Sequence, residues 1–221
     1  MFLRFALALV AGCVKLVVDY DMGSFFRKTG LSLILIALIG GALFVVSGGD
    51  PVYFLKEKLS FGQWSKYDSL ITEISREAGV DFYLIKAVIW QESRFGGNKL
   101  GTSGERGLMQ VTEAAAEDWA TANNVSNFSA EKLLDPETNI RIGTWYLKRA
   151  LDHYKNKDRP LSFALSEYNA GRTRVRRWIG KTEVGDSPVS AEEMKQRSFD
   201  STRDYVENIE RRYEYYQRNG D

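Results

Sequence analysis

One cysteine, Cys13, and one histidine, His153, occur in 221 residues. An intrachain disulfide framework is therefore excluded, and so is a zinc site of the Cys/His type. Nucleophilic catalysis of the Cys–His or Ser–His kind needs an imidazole. His153 lies in an amphipathic helical stretch with no motif around it, and it reads as a surface or helix-end residue. No Asp-x-Asp-x-Asp-Gly loop is present, so the sequence predicts neither a metal nor a cofactor. An excess of one charge is also missing: 30 Lys and Arg stand against 29 Asp and Glu. That balance speaks against a nucleic-acid partner. Strand-like alternation and internal repeats are absent as well.

One long apolar run is present. Residues 31–47 read LSLILIALIGGALFVVS, without a charge. At ~1.5 Å per residue such a helix reaches roughly 26 Å, close to a ~30 Å hydrocarbon core, and Gly30 and Gly48 can extend it. Arg27 and Lys28 precede the run, so the positive-inside rule keeps the lead in the cytoplasm and exports the rest of the chain. Residues 1–49 are thus expected to be a cytoplasmic lead and a single-pass transmembrane signal anchor, and 50–66 a connector. Two other readings stand beside this one: a signal peptide cleaved near Val45-Val46-Ser47, and a buried core helix. Val10-Ala11-Gly12-Cys13 resembles the box before a lipidated cysteine, and Met22 is an alternative start.

Beyond the connector the periodicity is helical. Trp64, Tyr67, Leu70, Ile71, Ile74 and Ala78 recur on one face, with Gly79 as the terminator. Asp81 can cap a helix that places Leu84, Ile85, Val88 and Ile89 together and runs into Gln91-Glu92-Ser93. A glycine-rich loop covers 96–107. Further helices are expected after Thr112, from Asp135-Pro136, from Pro160 to Asn169, over the basic stretch 172–179, and over 201–216. The fold class predicted is all-α, with one N-terminal transmembrane helix ahead of an orthogonal helical domain over 67–216.

Glu92 is the residue with chemistry. It ends an otherwise apolar helix, with Ile85, Val88 and Ile89 behind it and Trp90 and Phe95 close in sequence. Apolar surroundings and the negative end of the helix dipole both disfavour its anion. A carboxylic acid that keeps its proton near neutrality is what breaking a glycosidic bond requires. Arg94 is the neighbouring cation placed to oppose that shift.

The motifs around Glu92 resemble those of the soluble lytic transglycosylase catalytic domain family, with its goose-type lysozyme relatives. Gln91-Glu92-Ser93-Arg94-Phe95 resembles the catalytic glutamate–serine segment. Gly104-Glu105-Arg106-Gly107-Leu108-Met109-Gln110 resembles the Gly-x-x-Gly-Leu-Met-Gln motif. Asp135 opens the Asp-Pro-x-x-Asn-Ile helix. Tyr168-Asn169-Ala170-Gly171 and Thr202-Arg203-Asp204-Tyr205-Val206 come next, in the expected order. The resemblance covers 67–213 and implies a lysozyme-like fold. It implies non-hydrolytic cleavage of the β-1,4 bond between N-acetylmuramic acid and N-acetylglucosamine, giving 1,6-anhydro products with Glu92 as the single acid and base. It implies peptidoglycan strands as the partner, with Ser93, Gly107, Met109, Gln110, Tyr168, Asn169 and Tyr205 in the substrate cleft. With the anchor, it implies a bacterial inner-membrane protein whose domain faces the periplasm.

Two departures stand out. The family's usual serine, nine positions after the acid, is Gly101 here. Glu105 and Glu167 replace small residues, which keeps a second carboxylate, and hence a hydrolytic muramidase, open. A membrane-tethered, non-catalytic glycan-binding module of a wall-spanning secretion or conjugation apparatus is the remaining alternative.

Overall fold

The computed structural model describes residues 25–46, 63–180 and 189–219. Cys13, Met22, Ser47 and most of the connector lie outside them. The chain divides into two units, Met1–Gln63 and Trp64–Asp221. In the first, helix α1 spans Phe25–Val46 and takes up the apolar run. Leu33, Ile34, Ile36, Leu38, Ile39 and Phe44 are exposed along it. The side chains of 25–31, 43, 45 and 46 are not among those described. Among the described residues no helix is long and apolar enough to cross a membrane.

The second unit is helical throughout its regular elements. A 3-10 turn at Gln63–Ser65 leads into α2 (Asp68–Ala78) and α3 (Phe82–Ser93). Then come α4 (Glu113–Ala122), a 3-10 stretch (Ala130–Leu134), α5 (Pro136–His153), α6 (Pro160–Ala170), α7 (Arg172–Ile179), α8 (Ala191–Arg197) and α9 (Asp200–Asn219). Isolated bridges tie Arg106 to Leu100 and to Val111 within the loop after α3.

The boundaries reflect side-chain chemistry. Asp81 accepts from the Tyr83 and Leu84 amides, Thr112 from Ala115, and Asp135 from Thr138 ahead of Pro136. Gly79 ends α2 at φ 64°, a left-handed value that glycine adopts without steric cost. Two elements depart from the sequence expectation. Helix α8 is short and polar, and Ser190 and Glu193 start it with a reciprocal capping box. The 3-10 stretch before α5 has too few residues to show a period.

Helix α3 runs through the centre, with Ile85, Ala87, Val88 and Ile89 fully enclosed. Burying each of the larger three, Ile85, Val88 and Ile89, contributes about 1.5–3 kcal/mol. Helix α9 lies along α3 and α6, and α5 lies along α6 and α2. Lys86 is almost fully buried in α3, and its ammonium is neutralised by Asp68 of α2 at 2.9 Å. A second apolar cluster joins Tyr154, Phe163, Val175, Trp178 and Met194 under α7 and α8.

The loop between α3 and α4 is pinned by one buried amide. Asn139 of α5 is 1% exposed. Its Nδ2 donates to the Arg106 and Leu133 carbonyls at 2.7 and 2.8 Å. Its Oδ1 accepts from the Met109 amide at 2.7 Å. Gly107, at φ 77°, leaves no room for a side chain here: a Cβ would fall 2.4 Å from Asn139 Nδ2 and 2.5 Å from the Leu133 carbonyl oxygen. Gly143 does the same one turn along α5, where a Cβ would sit 2.6 Å from Met109 Sδ.

Replacing Asn139 by leucine strands three buried backbone groups. Urea denaturation of Asn139→Leu should show a loss of roughly 3–5 kcal/mol. Asn139→Asp should also be strongly destabilised, because a carboxylate accepts from Met109 but faces two carbonyls with no proton to give. Wild-type stability in both variants would disprove this role.

Candidate active site

Glu92 sits in the last turn of α3, walled by protein but still partly open to solvent. Tyr205, projecting from α9 and 6% exposed, donates its hydroxyl to Glu92 Oε1 at 2.6 Å. Tyr168 of α6 lies close enough for its phenol to feel the Glu92 charge, and its hydroxyl donates to the Met109 carbonyl at 3.0 Å. Helices α3, α6 and α9 thus each send one polar group to the same place.

Burial raises the Glu92 pKa from the ordinary 4.5 to about 7. The Tyr205 hydrogen bond and the Lys99 charge pull the other way, and the negative charge of Glu105 adds to the rise. Lys99 donates to the backbone carbonyl of Glu92. Arg94 is not the opposing cation. Its guanidinium stacks on Trp90, 3.1 Å from the ring centroid, and donates to the Trp90 carbonyl at 3.1 Å. Both phenols are also pushed well above their usual range, chiefly by burial and next by Glu92, so Tyr168 and Tyr205 remain neutral donors.

The chain leaves α3 through two consecutive non-glycine residues in left-handed conformation, Arg94 at φ 53° and Phe95 at φ 61°. Such conformations cost of order 1–3 kcal/mol and persist where packing over-determines them. Here Phe95 is buried and meets Trp64 edge-on, with centroids 5.3 Å apart. The turn sends the 96–107 loop across the end of α3.

The residues expected to line the cleft take different positions. Gln110, at φ 47°, is held by its amide to the Lys99 and Gly107 carbonyls at 3.1 and 3.0 Å. With Tyr168 it lines a pocket of about 180 Å³ that continues past Tyr146, Arg149, Glu167 and Arg172. Ser93 is turned inward, its hydroxyl donating to the Ile89 carbonyl at 3.2 Å. Met109 is fully buried, and only its carbonyl reaches towards the site, through Tyr168. Asn169 is exposed and accepts from Thr202 at 2.8 Å, joining α6 to α9. His153 is exposed at the end of α5. Among the described residues no group of His, Cys, Asp and Glu is placed to hold a metal ion.

Glu167 is occupied elsewhere. Its carboxylate accepts from Tyr154 at 2.8 Å and from Arg172 at 3.0 and 2.9 Å, in a buried setting. It is a neutralised structural anion, not a second acid. Sequence reasoning gave no role to Asn139, although a lone amide on the apolar face of α5 marks it. Lys99 carried no signal.

An all-α domain built round one enclosed carboxylic acid is lysozyme-like in class. The chain belongs to the transglycosylase SLT domain family, which matches residues 69–187. It is similar to the soluble lytic murein transglycosylase of Salmonella typhimurium, at 32% identity over 144 residues, 65% of this chain but 22% of that protein. It is also similar to the membrane-bound lytic murein transglycosylase E of Buchnera aphidicola, at 32% identity over 48% of this chain and 50% of the relative. Among solved structures, the 70 kDa soluble lytic transglycosylase of Escherichia coli superposes with a TM-score of 0.60 at 30% identity, covering 69% of this chain and 24% of that one. The chain therefore spans only a part of these larger relatives.

A raised carboxyl pKa couples the site to stability. The folded value of about 7 exceeds the ordinary 4.5, so ionising Glu92 opposes folding. The cost is absent below the unfolded pKa, grows as pH rises between the two values, and levels off at roughly 3 kcal/mol above the folded one. Glu92→Gln should therefore melt higher than wild type at pH 8, with the difference vanishing below about pH 4. An equal difference at both pH values would show that Glu92 does not titrate there.

Proposed function

We propose that this chain is a lytic transglycosylase acting on peptidoglycan, with Glu92 as its single acid and base. The observation that carries the reading is the enclosed Glu92 carboxyl, lifted to about 7 and bonded to the Tyr205 hydroxyl. The family match supports the reaction class.

The steps derive from that carboxyl. Protonated Glu92 donates to the glycosidic oxygen between N-acetylmuramic acid and N-acetylglucosamine, and the C1–O bond breaks. The muramyl 6-hydroxyl closes onto C1, and its proton passes to the carboxylate that the first step left behind. The proton count balances, no water is consumed, and the product is a 1,6-anhydro sugar. An intramolecular nucleophile gains from proximity, so no second base is required. Tyr205 steadies the carboxylate between the two halves. Gln110, whose Nε2 donates to the Lys99 and Gly107 carbonyls, offers its Oε1 as acceptor to an acetamido N–H, and Tyr168 offers a ring face. Gly107 and Met109 act through the backbone of the loop they belong to. Ser93 and Asn169 serve by holding α3 and the α6–α9 contact.

A membrane anchor rests on the sequence: the run 31–47 carries no charge, and six large apolar side chains are exposed along α1, although among the described residues no helix is long and apolar enough to cross a membrane. Arg27 and Lys28 near the start of α1 favour, by the positive-inside rule, a catalytic domain on the periplasmic side.

Glu92→Gln should lower activity on sacculi by at least about 100-fold without loss of fold, and wild-type products should carry anhydro ends by mass spectrometry. Reducing ends would identify a hydrolytic muramidase. Full activity of Glu92→Gln would remove Glu92 from the chemistry. EDTA should leave the rate unchanged. Protease added to spheroplasts should digest the domain, and complete protection would refute the topology.

A further inference from the structure

The loop carries two departures from the family pattern that the geometry joins into one. A Cβ added to Gly101 would fall 2.3 Å from Glu105 Oε2, 3.0 Å from Glu105 Cβ and 3.0 Å from Gln110 Oε1. The space that a serine at 101 would occupy is filled by the Glu105 carboxylate, shoulder to shoulder with the Gln110 amide. That carboxylate is held there. Its Oε2 accepts from the Ser103 amide at 3.0 Å, and the Glu105 carbonyl accepts from the Gly101 amide at 2.7 Å. The loop base is fixed in turn by Gly107 donating to the Lys99 carbonyl at 2.8 Å. Glu105 is only half-buried, so oxygen lone pairs remain for a ligand.

We propose that Glu105 is a substrate-contacting residue of this cleft, its carboxylate standing where residue 101 has no side chain and accepting a hydrogen bond from an N–H or hydroxyl of the bound glycan. The inference rests on the function proposed above. A serine hydroxyl both donates and accepts, whereas a carboxylate only accepts, so this cleft selects a donor on the sugar at that point. The exchange also changes the charge of the cleft. The groups acting on Glu92 are Lys99 and Glu105 from the loop and Tyr205 from α9, and the Tyr168 phenol of α6 in turn feels the Glu92 charge. Glu105 alone among them brings a second negative charge.

Binding and turnover separate the inference from the reading beneath it. In the Glu92→Gln background, which removes turnover, calorimetry with a soluble oligosaccharide of alternating N-acetylglucosamine and N-acetylmuramic acid measures Kd. Adding Glu105→Ala should weaken binding about tenfold, as loss of a charged hydrogen bond does. Adding Glu105→Gln, which keeps an acceptor, should weaken it less. Gly101→Ser combined with Glu105→Ala should recover most of the affinity, because the Cβ then has room. In the active enzyme, Glu105→Gln should move the alkaline limb of kcat/KM to lower pH, since it removes a charge that favours the protonated acid. That shift follows from the Glu105 charge alone, whereas a purely structural Glu105 would not be rescued by serine at 101. Unchanged Kd in the Glu105→Ala variant would overturn the inference. Weakened Kd in a protein whose wild type yields no anhydro sugar would sustain it while refuting the lytic reaction.

Discussion

A carboxyl that is to donate a proton near neutrality must be withdrawn from water, yet it must stay accessible from outside. Burying the group in a core satisfies the first demand and defeats the second. In this domain the conflict is met by ending a fully buried helix at the acid. Helix α3 brings its apolar length through the centre, and its last turn delivers Glu92 to the one side left open. The energy that raises the pKa comes from the packing of α3 against its neighbours. The site therefore costs stability whenever the acid ionises.

The remaining architecture shapes that open side. Two phenols, both held neutral, approach from α6 and α9, and one of them bonds the acid directly. The loop that forms the other wall has little regular structure of its own. Its shape comes from Asn139, which satisfies three backbone groups at once, and from Gly107 and Gly143, which let loop and helix meet without side chains between them. Distant polar residues serve the same end: Asn169 with Thr202, and Glu167 with Arg172 and Tyr154, lock the helices that carry the phenols.

Much of this was legible in the sequence because the signals are local. Caps at Asp81, Thr112 and Asp135, and the stop at Gly79, are fixed by residues within a few positions, and apolar periodicity marks α3, α5 and α9. The burial of Glu92 was legible for the same reason, since its apolar neighbours lie on its own helix. The features that escaped depend on contacts between distant segments. Arg94 is close to Glu92 in sequence, but the left-handed turn sends it onto Trp90, while Lys99, seven positions away, comes back beside the acid. Met109 and Ser93 belong to the motif by sequence, yet they turn inward. Gly101 and Glu105 look like two separate losses until the loop brings them together. Helix α8 is too short and polar for periodicity to reveal.

The proton on Glu92 can be followed without any substrate. Carbon-13 NMR of glutamate side-chain carboxyls, with Glu92→Gln to assign the resonance, gives the Glu92 titration directly. A midpoint near the value of about 7 that burial imposes is expected. A further rise is expected in Tyr205→Phe, which loses the hydrogen bond that favours the anion. A midpoint near the ordinary 4.5 in the folded protein, or a fall in the Tyr205 variant, would contradict that expectation.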